Sequence, residues 1–328
     1  MILITGGAGY IGSHINKLLS ESGHETIVFD NLIRGHAEAV KWGKLENCDL
    51  GDIGKLKLLF DRYQFDTVFH FAAYAYVGES MANPAKYYRN NVANTVNLLD
   101  VMLENGTKHI VFSSSCATYG VPQSVPIKES TEQNPISPYG RTKLIMEQIL
   151  SDYSTAYGLR YICLRYFNAA GADPSGEIGE CHDPETHLIP LVLDAAADSR
   201  KTINVFGTDY PTRDGSCIRD YIHVSDLARA HILAMKYLKN GGENCCINLG
   251  NGAGISVFEI IDAVRRITGK DICINLCDRR PGDPPELIGS AEMAKNLLGW
   301  EPHLSDVDTI IRDAWRWHRK NIKRTESI

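Results

Sequence analysis

The chain has 328 residues, 44% of them apolar, with a formal net charge of −6 and a pI near 6.0. That length suits two domains, or one large sheet domain with an appended lobe, and the apolar fraction is enough for a substantial core. No basic stripe marks a nucleic-acid surface. No run of roughly 18 apolar residues marks a membrane span. The opening Met1-Ile2-Leu3-Ile4 reads as a strand rather than a signal peptide, so a cytoplasmic protein is expected. Nine cysteines lie scattered without metal-ligand spacing; Cys245 and Cys246 are adjacent, and Cys273 and Cys277 have no partnering histidines. Reduced, mostly buried thiols and no metal site are expected.

Ile2 to Ile4 lead into Thr5-Gly6-Gly7-Ala8-Gly9-Tyr10-Ile11-Gly12, and Ile11, Ile15, Leu18 and Leu19 continue at helical spacing. A strand, a glycine turn and a helix in that order make an anion site. Gly6 allows the tight turn, Gly9 lets a pyrophosphate approach the backbone N–H groups, and Gly12 permits close helix packing on the strand. The spacing is G-x-x-G-x-x-G rather than the ordinary G-x-G-x-x-G. A second strand, Thr26 to Phe29, ends at Asp30, 24 positions after Gly6. A carboxylate there accepts from the adenosine ribose and repels a 2′-phosphate, which favours NAD over NADP; a turn role before Asn31 is the alternative. Arg34, close by, weakens the argument against the phosphate.

Asp49 follows a third strand, Lys44 to Cys48, and either meets the adenine amino group or caps the next helix before Lys55. Asp66 to Ala73 reads as strand four, its Ala72-Ala73 pair leaving room for a cofactor, with His70 a packed core histidine. Pro84 opens a helical run to Gly106 that carries Asn90, Asn91 and Asn94, which either bond to backbone or face water. Strand five, Lys108 to Phe112, runs into Ser113-Ser114-Ser115. A hydroxyl at that strand end can hold a substrate oxygen, or simply form a turn.

Tyr139 and Lys143 stand four apart, with Leu144, Ile145, Ile149 and Leu150 at helical spacing behind them. On a helix both lie on one face. A phenol titrates near pH ~10, and a neighbouring ammonium lowers that value, so the pair is a way to make a proton acceptor from tyrosine. A surface tyrosine beside a solvated lysine is the bland alternative. Strands alternating with helices predict a doubly wound, Rossmann-type parallel α/β sheet whose ligands sit at the strands' carboxyl ends.

After strand six, Arg160 to Tyr166, Gly171 to Pro190 is an irregular excursion. Helix and strand signals return at Leu188 to Ala197 and Thr202 to Phe206, then a turn-rich flap from Gly207 to Gly215. Ile218 to Val224 reads as one short strand, leading into a helix through Leu238, a strand at Cys245 to Leu249 and a helix at Val257 to Ile267. Arg219 and Arg280 are candidates for a diphosphate, each otherwise an ordinary surface arginine, with Pro281 to Pro285 a stiff loop beside Arg280. Trp300, Trp315 and Trp317 are expected to pack against the C-terminal helix, whose tail from Lys320 is expected to fray.

The glycine loop, Asp30, Ser115 and Tyr139-x-x-x-Lys143 together resemble the extended short-chain dehydrogenase/reductase superfamily. Within it, Thr5 to His14, Val77-Gly78-Glu79-Ser80, Leu164 to Asn168 and Arg219-Asp220-Tyr221-Ile222-His223-Val224 look like the UDP-galactose 4-epimerases, over nearly the whole chain. The resemblance implies a Rossmann-type fold with a smaller mixed α/β C-terminal lobe. Residues 1–170, with contributions from about 215–250, would hold NAD, and 171–328 would hold a UDP-sugar. It implies Ser115, Tyr139 and Lys143 as catalytic groups. Around NAD it implies Gly6, Gly9, Tyr10, Ile11, Gly12, Asp30, Asn31, Asp49, Leu50, Phe71, Ala72, Ala73, Asn90, Ser113, Tyr139, Lys143 and Tyr166. Around the nucleotide sugar it implies Ser115, Tyr139, Asn168, His187, Leu188, Asn204, Phe206, Arg219, Tyr221, Arg280, Asp283 and Leu287. Tyr139 would take the proton of the sugar 4-hydroxyl, C4 would lose its hydrogen to the nicotinamide, and the 4-keto sugar would turn over before the hydrogen returns. A homodimer through the helices opened by Pro84 and Tyr139 is implied too.

Some positions depart from the family. Ala75 stands where certain epimerases carry lysine, His187 replaces an asparagine, and Leu287 stands near a bulky tyrosine of some members, which leaves room for N-acetylated sugars. Cys116 to Gly120 and Thr208-Asp209-Tyr210 also resemble pentose epimerases. A 4,6-dehydratase is disfavoured, because Cys116-Ala117 replace the Asp-Glu that such enzymes place after the strand-five hydroxyl. A non-catalytic NAD-binding regulator is disfavoured, because Tyr139 and Lys143 are both present.

Overall fold

The fold is that of a computed structural model, which describes residues 1–198, 201–280 and 282–325, the last five as backbone alone. In chain order the first half comprises β1 (Ile2–Thr5), α1 (Tyr10–Glu21), β2 (Thr26–Asp30), β3 (Lys44–Asn47), α2 (Ile53–Arg62), β4 (Thr67–His70), α3 (Val77–Ala82), α4 (Pro84–Tyr87), α5 (Asn94–Glu104), β5 (His109–Ser115), α6 (Pro138–Tyr157) and β6 (Arg160–Tyr166). The second half comprises β7 (Asn168–Ala170), α7 (Leu188–Ala197), β8 (Thr202–Phe206), β9 (Ile218–Arg219), β10 (Tyr221–His223), α8 (Val224–Lys239), β11 (Cys245–Leu249), β12 (Ile255–Ser256), α9 (Val257–Thr268), β13 (Cys273–Cys277), β14 (Glu286–Leu287), α10 (Glu292–Leu298) and α11 (Val307–Thr325).

Seven strands form one parallel sheet in the order β11-β6-β5-β4-β1-β2-β3. Alternation along β1 explains its two faces: Ile2 and Ile4 join the core beneath α1, α8 and α10, and Leu3 joins the core beneath α2, α5 and α6. Burial on both faces is why the strands read as near-continuous apolar runs. The order reverses between β1 and β4, so the crevice for a ligand opens at the carboxyl ends of those two strands. Gly6 stands at that point with φ +73°, and a Cβ there would lie 2.5 Å from the Ala72 backbone nitrogen. No other residue fits that position without moving β4 away.

The helix that carries Tyr139 and Lys143 is fixed at its start. Ser137 caps α6 by accepting from Gly140 N (3.1 Å), Pro138 takes the first turn, and Gly158 ends the helix in the left-handed conformation. Tyr139 thus sits in the first turn and Lys143 one turn on.

The second half is built from small pieces. A third core joins α7, α9, α11 and β8, and three sheets of two or three strands surround it: β10-β7, β12-β9-β14 and β13-β8. The single strand expected from Ile218 to Val224 is broken. β9 pairs with β12 and β14, whereas β10 pairs with β7. Asp220 is the break, its buried carboxylate accepting from Asn251 N (2.8 Å), Gly252 N (3.1 Å) and Gly289 N (3.0 Å).

Other expectations need revision. Strand four ends at His70, not Ala73. The run from Pro84 to Gly106 is interrupted by a wide π-helical turn over Tyr88–Ala93, where Asn91 turns inward to bond Tyr74 N and O (both 2.9 Å) and Thr142 (3.2 Å). Trp300 packs under α8, donating to Asp226 O (2.9 Å), rather than against α11. The α11 helix continues to Thr325 and Lys320 is tied to Ser175 O (3.0 Å), so the chain does not fray from Lys320; residues 326–328 and Pro281 lie outside the described residues. No disulfide joins the cysteines, but only Cys163 and Cys217 are fully buried, and Cys273 is exposed on the edge strand β13. No helix among the described residues is long and apolar enough to cross a membrane.

Candidate active site

One cleft runs along the carboxyl ends of β1, β2, β4 and β5. Its lining includes Gly6, Gly9, Tyr10, Ile11 and Gly12 from the glycine turn, and Asp30, Asn31, Asp49 and Leu50 beyond β2 and β3. Phe71, Ala72, Ala73 and Asn90 form another wall, with Ser113, Tyr139, Lys143 and Tyr166 at the far end. All seventeen residues expected around a dinucleotide therefore meet in one place.

At the glycine end, no side chain caps α1 at Gly9, which leaves the first-turn N–H groups to a ligand. Gly12 packs on the turn itself rather than on the strand: a Cβ there would sit 2.4 Å from Gly6 O. Asp30 is both at the cleft and in the turn. It lines the cleft, and it also accepts from Ala8 N (3.0 Å) and Leu32 N (2.9 Å). Asp49 is not the helix cap, because Asp52 accepts from Lys55 N (3.1 Å) instead. Asp49 is held by Asn31 (2.5 Å) and Gly51 N (2.7 Å) beside the cleft. Arg34 stacks on Tyr76, pairs with Glu79 (3.6 Å) and donates to Asp183 O, so its charge is already committed.

At the other end, the Ser115 hydroxyl stands beside the Tyr139 phenol. Lys143 is anchored on the backbone of β5. Its Nζ donates to Ser113 O (2.6 Å) and lies 5.9 Å from the Tyr139 ring centre. Burial dominates the titration of the phenol and pushes it up to about 12, with only the Ser115 hydrogen bond pulling down. Burial also lowers the Lys143 ammonium to about 8. His70 is the core histidine expected, held between Thr5 Oγ1 (2.6 Å) and Thr95 Oγ1 (2.8 Å), with burial lowering it to about 3.

The residues expected around a nucleotide sugar gather on the second half. Arg219 donates to Pro284 O (2.9 Å) and lies 3.7 Å from Asp283; Arg280 pairs with Asp283 (2.9 Å) and covers the Phe206 ring at 4.9 Å. Burial pushes the Tyr221 phenol up to about 12, against the pull of both arginines. Arg219 likewise opposes the upward shift of Cys116, the neighbour of Ser115, which ties this group to the catalytic end. Leu287 packs with Tyr119, Ile127 and Phe167. Asn168 opens β7, its N–H bonded to Asp220 O (3.0 Å). Leu188 packs into the third core, and Asn204 accepts from Asn275 (3.0 Å) on the β8–β13 pair. His187 lines the cofactor cleft itself.

Residues 2–250 match the family described as NAD dependent epimerase/dehydratase. The chain belongs to that family. A UDP-glucose 4-epimerase of Halalkalibacterium halodurans is 52% identical over 98% of this chain and 96% of its own. The crystal structure of UDP-glucose 4-epimerase from Brucella ovis in complex with NAD is 54% identical, with a TM-score of 0.94 over 96% of this chain and 97% of that one. The UDP-Glc/GlcNAc 4-epimerase of Campylobacter jejuni is 41% identical, with a TM-score of 0.86 over 97% and 99%.

Two groups in this epimerase/dehydratase family member escaped the sequence reading. Glu147 and Arg165 form a buried bidentate ion pair (2.8 and 2.6 Å) beneath the catalytic helix, shared with Ser114 (2.5 Å), while Arg165 also donates to Tyr119 (2.7 Å). Neither residue departs from an ordinary helix or strand pattern, so nothing local flags the pair. The other group is Glu180, His182, Glu185 and His187 on the excursion before α7; His182 also lines the cleft. The spacing Glu-x-His-x-x-Glu-x-His was visible, but the metal search followed cysteines.

Proposed function

We propose that the protein interconverts UDP-glucose and UDP-galactose by NAD-dependent epimerisation at C4 through a 4-keto sugar. The observation that carries this reading is the meeting of Tyr139 and Lys143, with Ser115 beside the phenol, at one end of a cleft whose other end is an uncapped glycine-turn helix. The residues present fit NAD: free first-turn N–H groups for the pyrophosphate and an acid at the end of β2 for the ribose. NAD, when bound, takes up the C4 hydrogen with its electron pair and returns it.

The chain's own groups do the rest. Ser115 orients the sugar oxygen at C4 and steadies the phenol. Tyr139 accepts the hydroxyl proton as C4 is oxidised to the ketone and gives it back when C4 is reduced on the opposite face. Lys143, anchored on Ser113 O, presents its ammonium to the nicotinamide ribose. A phenol is protonated at neutral pH and burial raises this one further, so ionisation of Tyr139 would be favoured by positive charge close to it, of which the Lys143 ammonium is the chain's own source. Arg219 and Arg280 hold the diphosphate of the UDP moiety, trading their Asp283 contacts for phosphate oxygens.

Residues 1–170 with the return of β11 form the NAD-binding part, and 171–328 the sugar-nucleotide part. The protein acts in the cytoplasm as a homodimer through α5 and α6, which sedimentation would test. A second reading, a UDP-N-acetylhexosamine 4-epimerase, is favoured by the leucine at 287 and by the likeness to the Campylobacter jejuni enzyme. Incubation with UDP-galactose, UDP-N-acetylgalactosamine or UDP-arabinose, each without added NAD, followed by sugar analysis, separates these readings. If none of the three is converted, the 4-epimerase reading fails.

A further inference from the structure

The excursion between β7 and α7 carries Glu180, His182, Glu185 and His187, and one ligand atom from each lies within 4.8 Å of all the others. Glu180 is the centre. Its side chain is only 7% exposed, its Oε1 accepts from His187 Nδ1, and the same oxygen stands 3.2 Å from His182 Nδ1. Glu185 Oε2 stands 3.6 Å from that nitrogen, while its other oxygen is fixed by Thr186 N (2.7 Å) and His187 N (2.8 Å). His182 Nδ1 is buried and makes no aligned hydrogen bond. Among the described residues, no lysine or arginine pairs with either carboxylate.

The backbone under this cluster is pinned from several sides. Trp317 donates to Glu180 O (2.8 Å), His36 bonds Cys181 O (2.9 Å), and Tyr76 donates to Pro184 O (3.1 Å). The four donors are therefore held near one point before any ligand arrives, which is what a metal site requires. Two carboxylates and two neutral imidazoles also balance one divalent ion. Without an ion, protons on the two imidazole rings, whose centres lie 5.1 Å apart, would balance the carboxylates instead.

We propose that Glu180, His182, Glu185 and His187 bind one divalent transition-metal ion of the zinc class. Two imidazole nitrogens and two carboxylate oxygens suit zinc, cobalt or manganese, whereas magnesium and calcium want oxygen alone. The ion ties the excursion down over the rim of the cofactor cleft, which His182 and His187 line and where the His182 ring faces Tyr10 of the glycine turn at 6.3 Å. His187, expected from the sequence to touch the nucleotide sugar, directs its Nδ1 to the ion instead. This inference does not rest on the epimerase reading, because binding is read without turnover.

The test titrates chelator-treated, dialysed full-length protein, with its own cofactor retained, with ZnCl2, CoCl2 and MgCl2 in separate calorimetric runs. One zinc per chain, no magnesium heat, a visible cobalt band without thiolate charge transfer and a zinc-dependent rise in Tm are expected. His182→Ala should weaken zinc binding by about 100-fold or more. His187→Gln changes a side chain that is 48% exposed, and should weaken zinc binding while leaving the zinc-free Tm unchanged. Absence of saturable zinc binding, equal binding in both variants, or a cobalt–thiolate band that places the ion on cysteine would overturn the proposal.

Discussion

The two halves of this molecule hold their ligand residues in opposite ways. In the first, a seven-stranded parallel sheet carries the residues on strand ends, and their positions follow from the ladder. In the second, short strands in three small sheets depend on side chains such as Asp220, which gathers N–H groups from Asn251, Gly252 and Gly289. Backbone pairing organises the cofactor cleft, whereas polar side chains organise the region around Arg219 and Arg280. Substitutions should therefore cost chemistry in the first half and folding in the second, except where the halves share a network.

The largest effect expected is on Tyr139. Tyr139→Phe should lower turnover about 1,000-fold, the scale of a lost general acid–base group, with NAD retained and Tm within a degree or so. A variant that keeps most of its activity would remove Tyr139 from the mechanism. Next is Glu147→Gln, which strands the Arg165 guanidinium in the core and should cost about 3 kcal/mol in urea unfolding. That network lies under the catalytic helix, so it tests whether the sheet half can be broken by a side chain alone. Asp220→Asn leaves one carbonyl oxygen for three N–H donors and should cost about 2 kcal/mol. A smaller loss there than in an apolar truncation of the same region would contradict the contrast between the halves.

Acid–base behaviour gives a subtler check. Burial lowers Lys143 in the folded protein from the ordinary 10.5 to about 8. Between those values the unfolded chain holds more protons at this lysine than the folded chain. The contribution of Lys143 is unfavourable below pH 8 and is relieved as the pH rises towards 10.5, with a slope of at most about 1.4 kcal/mol per pH unit. Comparing the Tm–pH profile with that of Lys143→Met, free of NAD, should show that rise only in the parent protein. The smallest effect expected is Asp52→Ala, which removes the cap of α2 and should cost about 1 kcal/mol without touching activity. An effect on turnover there would mean that α2 helps to hold Asp49 and the cleft.

The same contrast governs what could be read from the sequence. The β1–turn–α1 unit was legible because its chemistry is local: Gly6, Gly9 and Gly12 stand within one turn, and their spacing declares the conformation. The residues along the cleft were legible because a parallel sheet repeats its geometry at each strand end. Asp220 was not, since its partners come from residues 251, 252 and 289, and Ile218 to Val224 then looks like one strand. The spacing puts Lys143 beside Tyr139 on α6 but does not show that Ser113 O takes a hydrogen bond from its ammonium, because sequence shows that two groups are neighbours and not which carbonyl the ammonium meets. Asp49 beside the cleft and Asp52 at the cap of α2 stand within one turn of each other, a distinction that composition does not make.

The return of β11 to the sheet bears on how such a protein is made and how it evolves. Its ladder with β6 forms only after residues 167–223 have passed through the other half and α8 has come back onto the sheet. A ribosome has to release residue 249 before the sheet acquires its outer edge, so the nascent dinucleotide half waits on its neighbour. For the same reason, a hybrid gene spliced at residue 170 joins a sheet from one parent to an edge strand from the other. Its success should be decided at the Ile162–Cys245 to Tyr166–Leu249 pairing, not at the cleft.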